Sequence, residues 1–178
     1  MEADVFSALP AGIASALAHR GFESLTPIQT AVLAPELSGR DLRISSRTGS
    51  GKTVALGLVL GRQLADHVPP PAGGAASMFA KPRMVLVAPT RELAAQIGKE
   101  LEWLYKNLRV RVCVVTGGTS VGLERRALAQ NPTVLVGTPG RLCDHMSRGA
   151  LDLSAAEAIV LDEADQMLDL GFIHALRK

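Results

Sequence analysis

Apolar residues recur along this chain in two alternating patterns, short β-branched runs and longer stretches with helical spacing. The short runs predict strands at 41–45, 83–88, 110–116, 133–137 and 158–162. Helical spacing predicts helices over about 10–20, 27–38, 52–67, 91–106, 120–130 and 139–148. A Pro- and Gly-rich stretch at 68–77 is interpreted as a surface loop. This alternation favours an α/β fold, a parallel sheet with helices on both faces, in which ligands bind beyond the carboxyl ends of the strands.

Composition is that of one globular domain, since the 178 residues are 47% apolar and 20% charged. A net charge of +2 is too small to indicate a nucleic-acid partner, so any such contact needs a local site. Two cysteines fit neither a disulfide framework nor a zinc cluster, and no apolar run approaches the ~18 residues of a membrane span. We therefore expect a cytoplasmic protein. The scattered histidines, including His145, are expected at the surface or at helix ends, and Trp103 and Tyr105 in packing roles.

The first candidate site follows the strand predicted at 41–45 and reads Ser46-Arg47-Thr48-Gly49-Ser50-Gly51-Lys52-Thr53. Two glycines allow backbone N–H groups to turn towards phosphate oxygens, Lys52 can reach the β- and γ-phosphates, and the Thr53 hydroxyl can bind Mg²⁺. The strict pattern has glycine where Ser46 stands, so an ordinary glycine-rich turn is the alternative. A strand before it and a helix after it favour the phosphate loop.

The second candidate site follows the strand at 158–162. Asp162 would lie at the carboxyl edge of the sheet, where a carboxylate can hold the Mg²⁺ that bridges phosphates. Glu163 could orient or deprotonate the attacking water. Taken alone, these acids could equally complement the dipole of the next helix. Together with the Lys52 loop they indicate a fold that binds Mg²⁺ and a nucleoside triphosphate.

Three further strands are followed by small, hydroxyl or arginine residues: Pro89-Thr90-Arg91-Glu92, Gly117-Gly118 and Thr138-Pro139-Gly140-Arg141. Parallel strands place their carboxyl ends at one edge of the sheet. Backbone amides, hydroxyls and arginines at that edge suit a phosphodiester backbone bound without base specificity. As an isolated turn, each segment has an ordinary structural explanation.

Six segments in order resemble the first RecA-like domain of the DEAD-box RNA helicases. They are Gly21-Phe22 with Thr26-Pro27-Ile28-Gln29, Thr48 to Thr53, Pro89 to Ala94, Gly117-Gly118, Thr138 to Arg141, and Asp162-Glu163-Ala164-Asp165. The resemblance covers about residue 5 to the C-terminus. By local physics alone, the Thr26 segment is only a helix start with an N-cap, Pro27 in the first turn and a capping box to Gln29.

The resemblance implies a role for each segment, with ATP and Mg²⁺ as cofactors and RNA as partner. Phe22, Thr26 and Gln29 would bind adenine, while Thr48, Gly49, Ser50, Gly51, Lys52 and Thr53 would hold the phosphates. Thr53 and Asp162 would bind the metal, and Lys52, Asp162 and Glu163 would be catalytic. The RNA sugar-phosphate backbone would contact Thr90, Arg91, Gly117, Gly118, Thr138, Gly140 and Arg141. Asp165 would couple the nucleotide site to domain closure.

The resemblance also implies that residues 1–178 are a RecA-like ATP-binding domain without its last strand or strands, and that the second RecA-like domain is absent. A strand with a Ser-Ala-Thr motif would lie between the Lys52-loop strand and the Asp162 strand. Arginines of the second domain would act on the γ-phosphate, a contribution worth ~10³–10⁵ in rate in comparable enzymes. We expect the ATP- and RNA-binding half of an ATP-dependent RNA helicase, weak in nucleotide binding and inactive in unwinding. The alternatives are another P-loop NTPase, such as a small-molecule kinase or DNA translocase, and a non-catalytic nucleotide- or RNA-binding module.

Overall fold

The protein is described by a computed structural model that covers residues 6, 8–47, 49–65 and 80–169. Thr48, the predicted loop at 68–77 and the last residues from 170 onward lie outside the described residues. Contacts divide the chain into two compact units. The first, called here the helical unit, comprises residues 1–69 and 100–109, and the second, the sheet unit, comprises 70–99 and 110–178.

The helical unit begins with short helices: α1 (Ala11–His19), α2 (Pro27–Ala31), a 3-10 turn (Pro35–Leu37) and α3 (Lys52–Leu64). The helix predicted over 27–38 is wrong in its second half, because Pro35 cannot continue a helix and forces Ala34 into an extended conformation. The strand predicted at 41–45 is also wrong, since these residues form no strand and pair with no strand in the described part of the chain. α3 starts at the predicted residue.

Glycines let α3 pack closely in the helical unit. A side chain at Gly57 would lie 2.5 Å from Leu104 and 3.0 Å from Leu101, and one at Gly61 would overlap Ile13. Tyr105 is completely buried, and its hydroxyl donates a 2.8 Å hydrogen bond to the Gly57 carbonyl. Burial raises the pKa of Tyr105. The predicted packing role of Tyr105 is therefore confirmed.

The sheet unit contains four parallel strands in the order β2-β3-β1-β4, which are β1 (Met84–Val87), β2 (Val112–Val115), β3 (Val134–Gly137) and β4 (Ala158–Leu161). The helices that follow them are α4 (Arg91–Leu104), α5 (Val121–Leu128), α6 (Pro139–Ser147) and α7 (Ala164–Asp169). Residues of α4 from Glu100 onward belong to the helical unit. Four of the five predicted strands are confirmed, and with them the parallel α/β fold.

Burial differs across the sheet. Every residue of β1 and β3 is buried, so both faces of these central strands are covered. Cys113 in β2 is buried too, as predicted. In β4, by contrast, Ile159 is 60% exposed and Leu161 is 45% exposed, and the strand pairs only with β1 among the described residues. β4 is thus an edge strand with apolar side chains facing solvent.

Across the described ranges, no helix has both the length and the apolar character that crossing a bilayer requires.

Candidate functional site

The glycines of the predicted phosphate loop adopt the backbone conformation that this loop needs. Gly49 and Gly51 have φ values of +79° and +85°, in the left-handed region that favours glycine. Gly51 is the N-cap of α3, so Lys52 and Thr53 form the first turn of a 13-residue helix. The Ser50 hydroxyl donates to the Ser46 hydroxyl at 2.9 Å. The serine that departs from the strict pattern therefore ties the loop together by a side-chain hydrogen bond.

The residues predicted to bind adenine are bonded to this same loop. The Gln29 side chain is buried, accepts from the Thr26 backbone N–H at 3.0 Å and donates to the Gly51 carbonyl at 3.3 Å. The Thr26 hydroxyl donates to the Ser50 carbonyl at 3.0 Å. The predicted capping box is present, and the bonds to the loop are an addition that sequence reasoning missed. A contact with adenine stays a prediction.

Phe22 lies beside an aromatic and cationic stack. Its ring centroid is 5.9 Å from that of Trp103, and the Arg20 guanidinium lies 4.8 Å from the centroid of the same indole. The Trp103 indole N–H donates to the Glu100 carboxylate at 2.8 Å. Trp103 thus has the packing role that was expected, and the residue it packs against is the predicted base-binding aromatic.

In the sheet unit, the acidic motif stands at the end of β4. Asp162 is 4% exposed, its backbone N–H donates to the Val87 carbonyl at 3.0 Å, and its carboxylate accepts from the Glu163 N–H at 3.1 Å. Glu163 is exposed with φ +51°, a conformation that costs a non-glycine residue about 1–3 kcal/mol and is concentrated at functional sites. Asp165 is exposed in the first turn of α7. Because Lys52 and Thr53 belong to the helical unit and Asp162 to the sheet unit, their joint binding of one metal–nucleotide stays a prediction.

The three remaining strand-end segments meet in one groove of the sheet unit. β2, β3 and β1 are parallel neighbours, so their carboxyl ends share an edge, as predicted. The groove has a volume of about 640 Å³ and is lined by Pro89, Thr90, Arg91, Glu92, Gly117, Thr138, Gly140, Arg141 and Asp144. Of the seven residues predicted to contact RNA, all but Gly118 line it.

Gly118 shapes the groove indirectly. Its φ is +84°, and a side chain there would overlap the Arg91 guanidinium. A side chain at Gly117 would lie 3.3 Å from Arg91. These two glycines leave the space in which the arginine lies. At the neighbouring segments, the Thr90 hydroxyl accepts from the Leu93 N–H at 3.2 Å and Thr138 is the N-cap of α6.

A buried carboxylate that sequence reasoning missed lies behind this groove. Glu124 of α5 accepts hydrogen bonds from the Thr116 N–H at 2.9 Å, the Thr119 hydroxyl, Arg141 at 2.8 Å and His145 at 2.7 Å. Burial alone raises the pKa of Glu124, but the hydrogen bonds from Thr119, His145, Thr116 and Arg141 together lower it. The group thereby remains an acceptor-only carboxylate.

His145 belongs to the same buried cluster as Glu124. It lies in the last turn of α6, at a helix end as predicted, but it is completely buried and not at the surface. The one signal in the sequence is that Glu124 precedes Leu128 by four residues and shares its helix face. Leu128 is buried, so a burial site for Glu124 could have been suspected, although not its partners.

Comparison with known proteins agrees with this geometry. The family model for DEAD/DEAH box helicases matches residues 26–178. The chain belongs to the DEAD/DEAH box helicase family. It is 42% identical over 165 residues to the ATP-dependent RNA helicase RhlB of Shewanella sp. (strain W3-18-1), covering 93% of this chain and 37% of RhlB. It is also 42% identical over 153 residues to the DEAD-box ATP-dependent RNA helicase CshA of Bacillus cereus, covering 86% of this chain and 27% of CshA.

Solved helicase structures share the fold. The structure of the RNA-helicase Prp28 from Chaetomium thermophilum bound to ADP superposes on this chain with a TM-score of 0.84 at 33% identity. The match covers 99% of this chain and 42% of Prp28. A hypothetical ATP-dependent RNA helicase from Sulfolobus tokodaii gives a TM-score of 0.78 at 29% identity, covering 93% and 45% of the two chains. The chain therefore spans less than half the length of each of these helicases.

Proposed function

We propose that this chain is the ATP- and RNA-binding half of an ATP-dependent RNA helicase. The observation that carries the proposal is the meeting of three strand-end segments in one groove of the sheet unit, in a member of the DEAD/DEAH box family. RhlB and CshA are named as ATP-dependent RNA helicases. Family membership speaks against the small-molecule kinase alternative.

The chemistry of the groove supports RNA as the ligand. Arg91 and Arg141 supply positive charge, Thr90 and Thr138 supply hydroxyls, and Gly117 and Gly140 bring backbone to the groove without a side chain. Such groups contact phosphates and sugars and carry no direct base readout. RNA would therefore bind here through its backbone, with little dependence on sequence.

The loop in the helical unit supports ATP as the nucleotide. Left-handed glycines and the positive end of α3 suit a triphosphate, with Lys52 reaching the β- and γ-phosphates. Thr26 and Gln29 are bonded to the loop carbonyls, so adenine recognition by them and Phe22 would be transmitted directly to the phosphate site. The ADP bound to Prp28 is in keeping with this assignment.

Thr53 and Asp162 are the residues that would hold Mg²⁺. Among the described residues no group of three potential protein ligands forms a cluster, which is compatible with Mg²⁺ because this ion is usually held by one or two carboxylates plus substrate phosphates. When bound, Mg²⁺ neutralises charge that develops on the phosphates. Glu163, exposed beside Asp162, would orient the attacking water and accept its proton, and Asp165 would link the site to domain closure.

The longer protein would supply what this chain lacks. Among the described residues β4 pairs only with β1 and stands at the edge of the sheet, which supports the prediction of a further strand beside it. Coverage of 37% of RhlB supports a second RecA-like domain elsewhere in the protein. Closure of two domains on ATP and RNA would bend the RNA and open a short duplex, and hydrolysis would release it. We place the protein in the cytoplasm.

The test compares this chain with a longer version that includes the second domain. We expect the longer protein to hydrolyse ATP in a coupled assay faster with single-stranded RNA than with DNA, and Glu163→Gln to abolish turnover while fluorescent-ATP binding persists. This chain alone should show weak nucleotide binding. Equal stimulation by DNA would favour a DNA translocase, and turnover unaffected by Glu163→Gln would overturn the proposed chemistry.

A further inference from the structure

The buried Glu124 carboxylate joins two segments of the groove. One oxygen accepts from the Thr116 N–H and the Thr119 hydroxyl, which flank Gly117 and Gly118 in the loop after β2. The other oxygen accepts from Arg141 and His145, which both lie on α6. A single side chain thus connects the loop after β2 to the helix that begins after β3.

We propose that Glu124 is a positioning residue for RNA, which holds Arg141 at the groove and fixes the Gly117–Gly118 loop against α6. The proposal rests on the proposed RNA-binding function. Arg141 also donates from the same terminal nitrogen, Nη1, to the Thr119 carbonyl at 3.4 Å, which closes a ring of contacts between the two segments. Nη1 is therefore engaged with the protein, and the donors on Nε and Nη2 are the ones suited to a phosphate.

A carboxylate is the one side chain that satisfies this site. Two carboxylate oxygens offer about four lone-pair positions, and four donors fill them. A glutamine of nearly the same shape would turn an NH₂ group towards two of the four donors. Glu124→Gln therefore removes the attachment of Arg141 or that of the loop while changing side-chain volume very little.

His145 completes the site from the interior. Because the carboxylate only accepts, the hydrogen bond between them places the proton on His145 Nε2. His145 Nδ1 is buried and has no hydrogen-bond partner among the described residues, so the Glu124 contact is the polar contact that the structure describes for this ring. His145 holds the carboxylate on the side away from the groove, while Arg141 holds it on the groove side.

Charge alone predicts the opposite result to positioning. RNA is a polyanion, so removing a negative charge next to the groove should strengthen binding. If Glu124 acts by placing Arg141, Glu124→Gln should weaken binding in spite of the more favourable charge. The direction of the change therefore separates the two effects.

The experiment measures binding of a short fluorescein-labelled oligouridylate to the full chain by anisotropy at several salt concentrations. We expect Glu124→Gln and Arg141→Gln each to weaken binding about tenfold, the scale of one charge-assisted hydrogen bond. The double variant should lose less than the two single losses combined, because part of the effect of Glu124 acts through Arg141 and the rest through the Gly117–Gly118 loop. Glu102→Gln, which removes an exposed carboxylate on α4, is the charge-matched control and should leave affinity unchanged.

Circular dichroism melting identifies variants that are unfolded. If Glu124→Gln is unfolded, Thr119→Val removes one donor and keeps the carboxylate, and we expect binding about threefold weaker. Unchanged or tighter binding by either folded variant, or additive losses in the double variant, would overturn the positioning role alone. Absence of RNA binding by the unaltered chain would overturn both this proposal and the RNA-binding function.

Discussion

Replacing Gly51 with alanine tests whether the Thr26–Gln29 segment supports the phosphate loop. Gly51 has φ +85°, and a side chain there would overlap the Gln29 amide nitrogen and lie 3.4 Å from the Thr26 hydroxyl. Gly39 provides a matched control in the same unit, because its φ is +71° and a side chain there would meet nothing within 4 Å. Both alanines would be strained, but only the one at position 51 displaces Gln29.

The contacts give the size of the difference. An alanine in the left-handed conformation costs about 1–2 kcal/mol at either position. At Gly51 the Gln29 side chain must also move, breaking its 3.3 Å bond to the Gly51 carbonyl. Leaving this buried amide without a partner adds about 1–3 kcal/mol. We therefore expect a loss of about 1–2 kcal/mol for Gly39→Ala and about 2–5 kcal/mol for Gly51→Ala.

Urea unfolding followed by tryptophan fluorescence measures both losses, since Trp103 is the sole tryptophan and belongs to the helical unit with both glycines. Affinity for a fluorescent ATP analogue should fall in Gly51→Ala and persist in Gly39→Ala. Equal destabilisation by the two alanines would show that the contact between Gln29 and Gly51 contributes nothing, and the reasoning would fail.

Three further predictions concern single side chains. Because the pKa of Glu124 is lowered in the folded protein, its contribution to stability is complete above its ordinary pKa of 4.5 and is lost as pH falls through the folded value. Below about pH 4.5, the melting temperature should therefore fall more steeply in the unaltered protein than in Glu124→Gln. Parallel curves of melting temperature against pH would contradict this. The Trp103 ring lies against Phe22, the residue that we propose binds adenine. ATP should therefore change the fluorescence of Trp103, and Phe22→Ala should reduce that change. Burial, with a smaller contribution from the Glu124 charge, raises the pKa of Cys113 to about 11, so iodoacetamide at pH 8 should label half-buried Cys143 first, as mass spectrometry would show. Labelling of Cys113 at the same rate would contradict its burial.

Sequence patterns predicted the elements whose signals are local. β1 and β3 are continuous apolar runs that fit strands covered on both faces, and α6 begins at Pro139 after Thr138, as its capping residues indicate. The helix predicted over 27–38 failed because helical spacing of apolar residues was given more weight than the stop signal at Pro35. A local rule was available there and was outweighed by the periodicity.

In the candidate sites, too, the local features were predicted from the sequence and the contacts between distant residues were not. The glycine conformations of the phosphate loop and the shared edge of β1, β2 and β3 follow from motif and topology. The bonds from Gln29 to Gly51 and from Glu124 to His145 join residues 22 and 21 positions apart, and neither leaves a periodic signal. Sequence reasoning assigned Gln29 to adenine binding and gave Glu124 no role. A sequence shows which residues are present, but it does not show which donor groups bond to which acceptor groups.

The strand predicted at 41–45 failed for a reason that its own residues do not encode. A strand in a parallel sheet is stable only where a neighbouring backbone completes its hydrogen bonds, whatever its own propensity. Residues 41–45 have no such neighbour among the described residues, whereas β4 pairs with β1 and does form a strand. Strand propensity therefore predicts a strand only where a partner is also available, and the residue pattern at 41–45 carries no information about its partner.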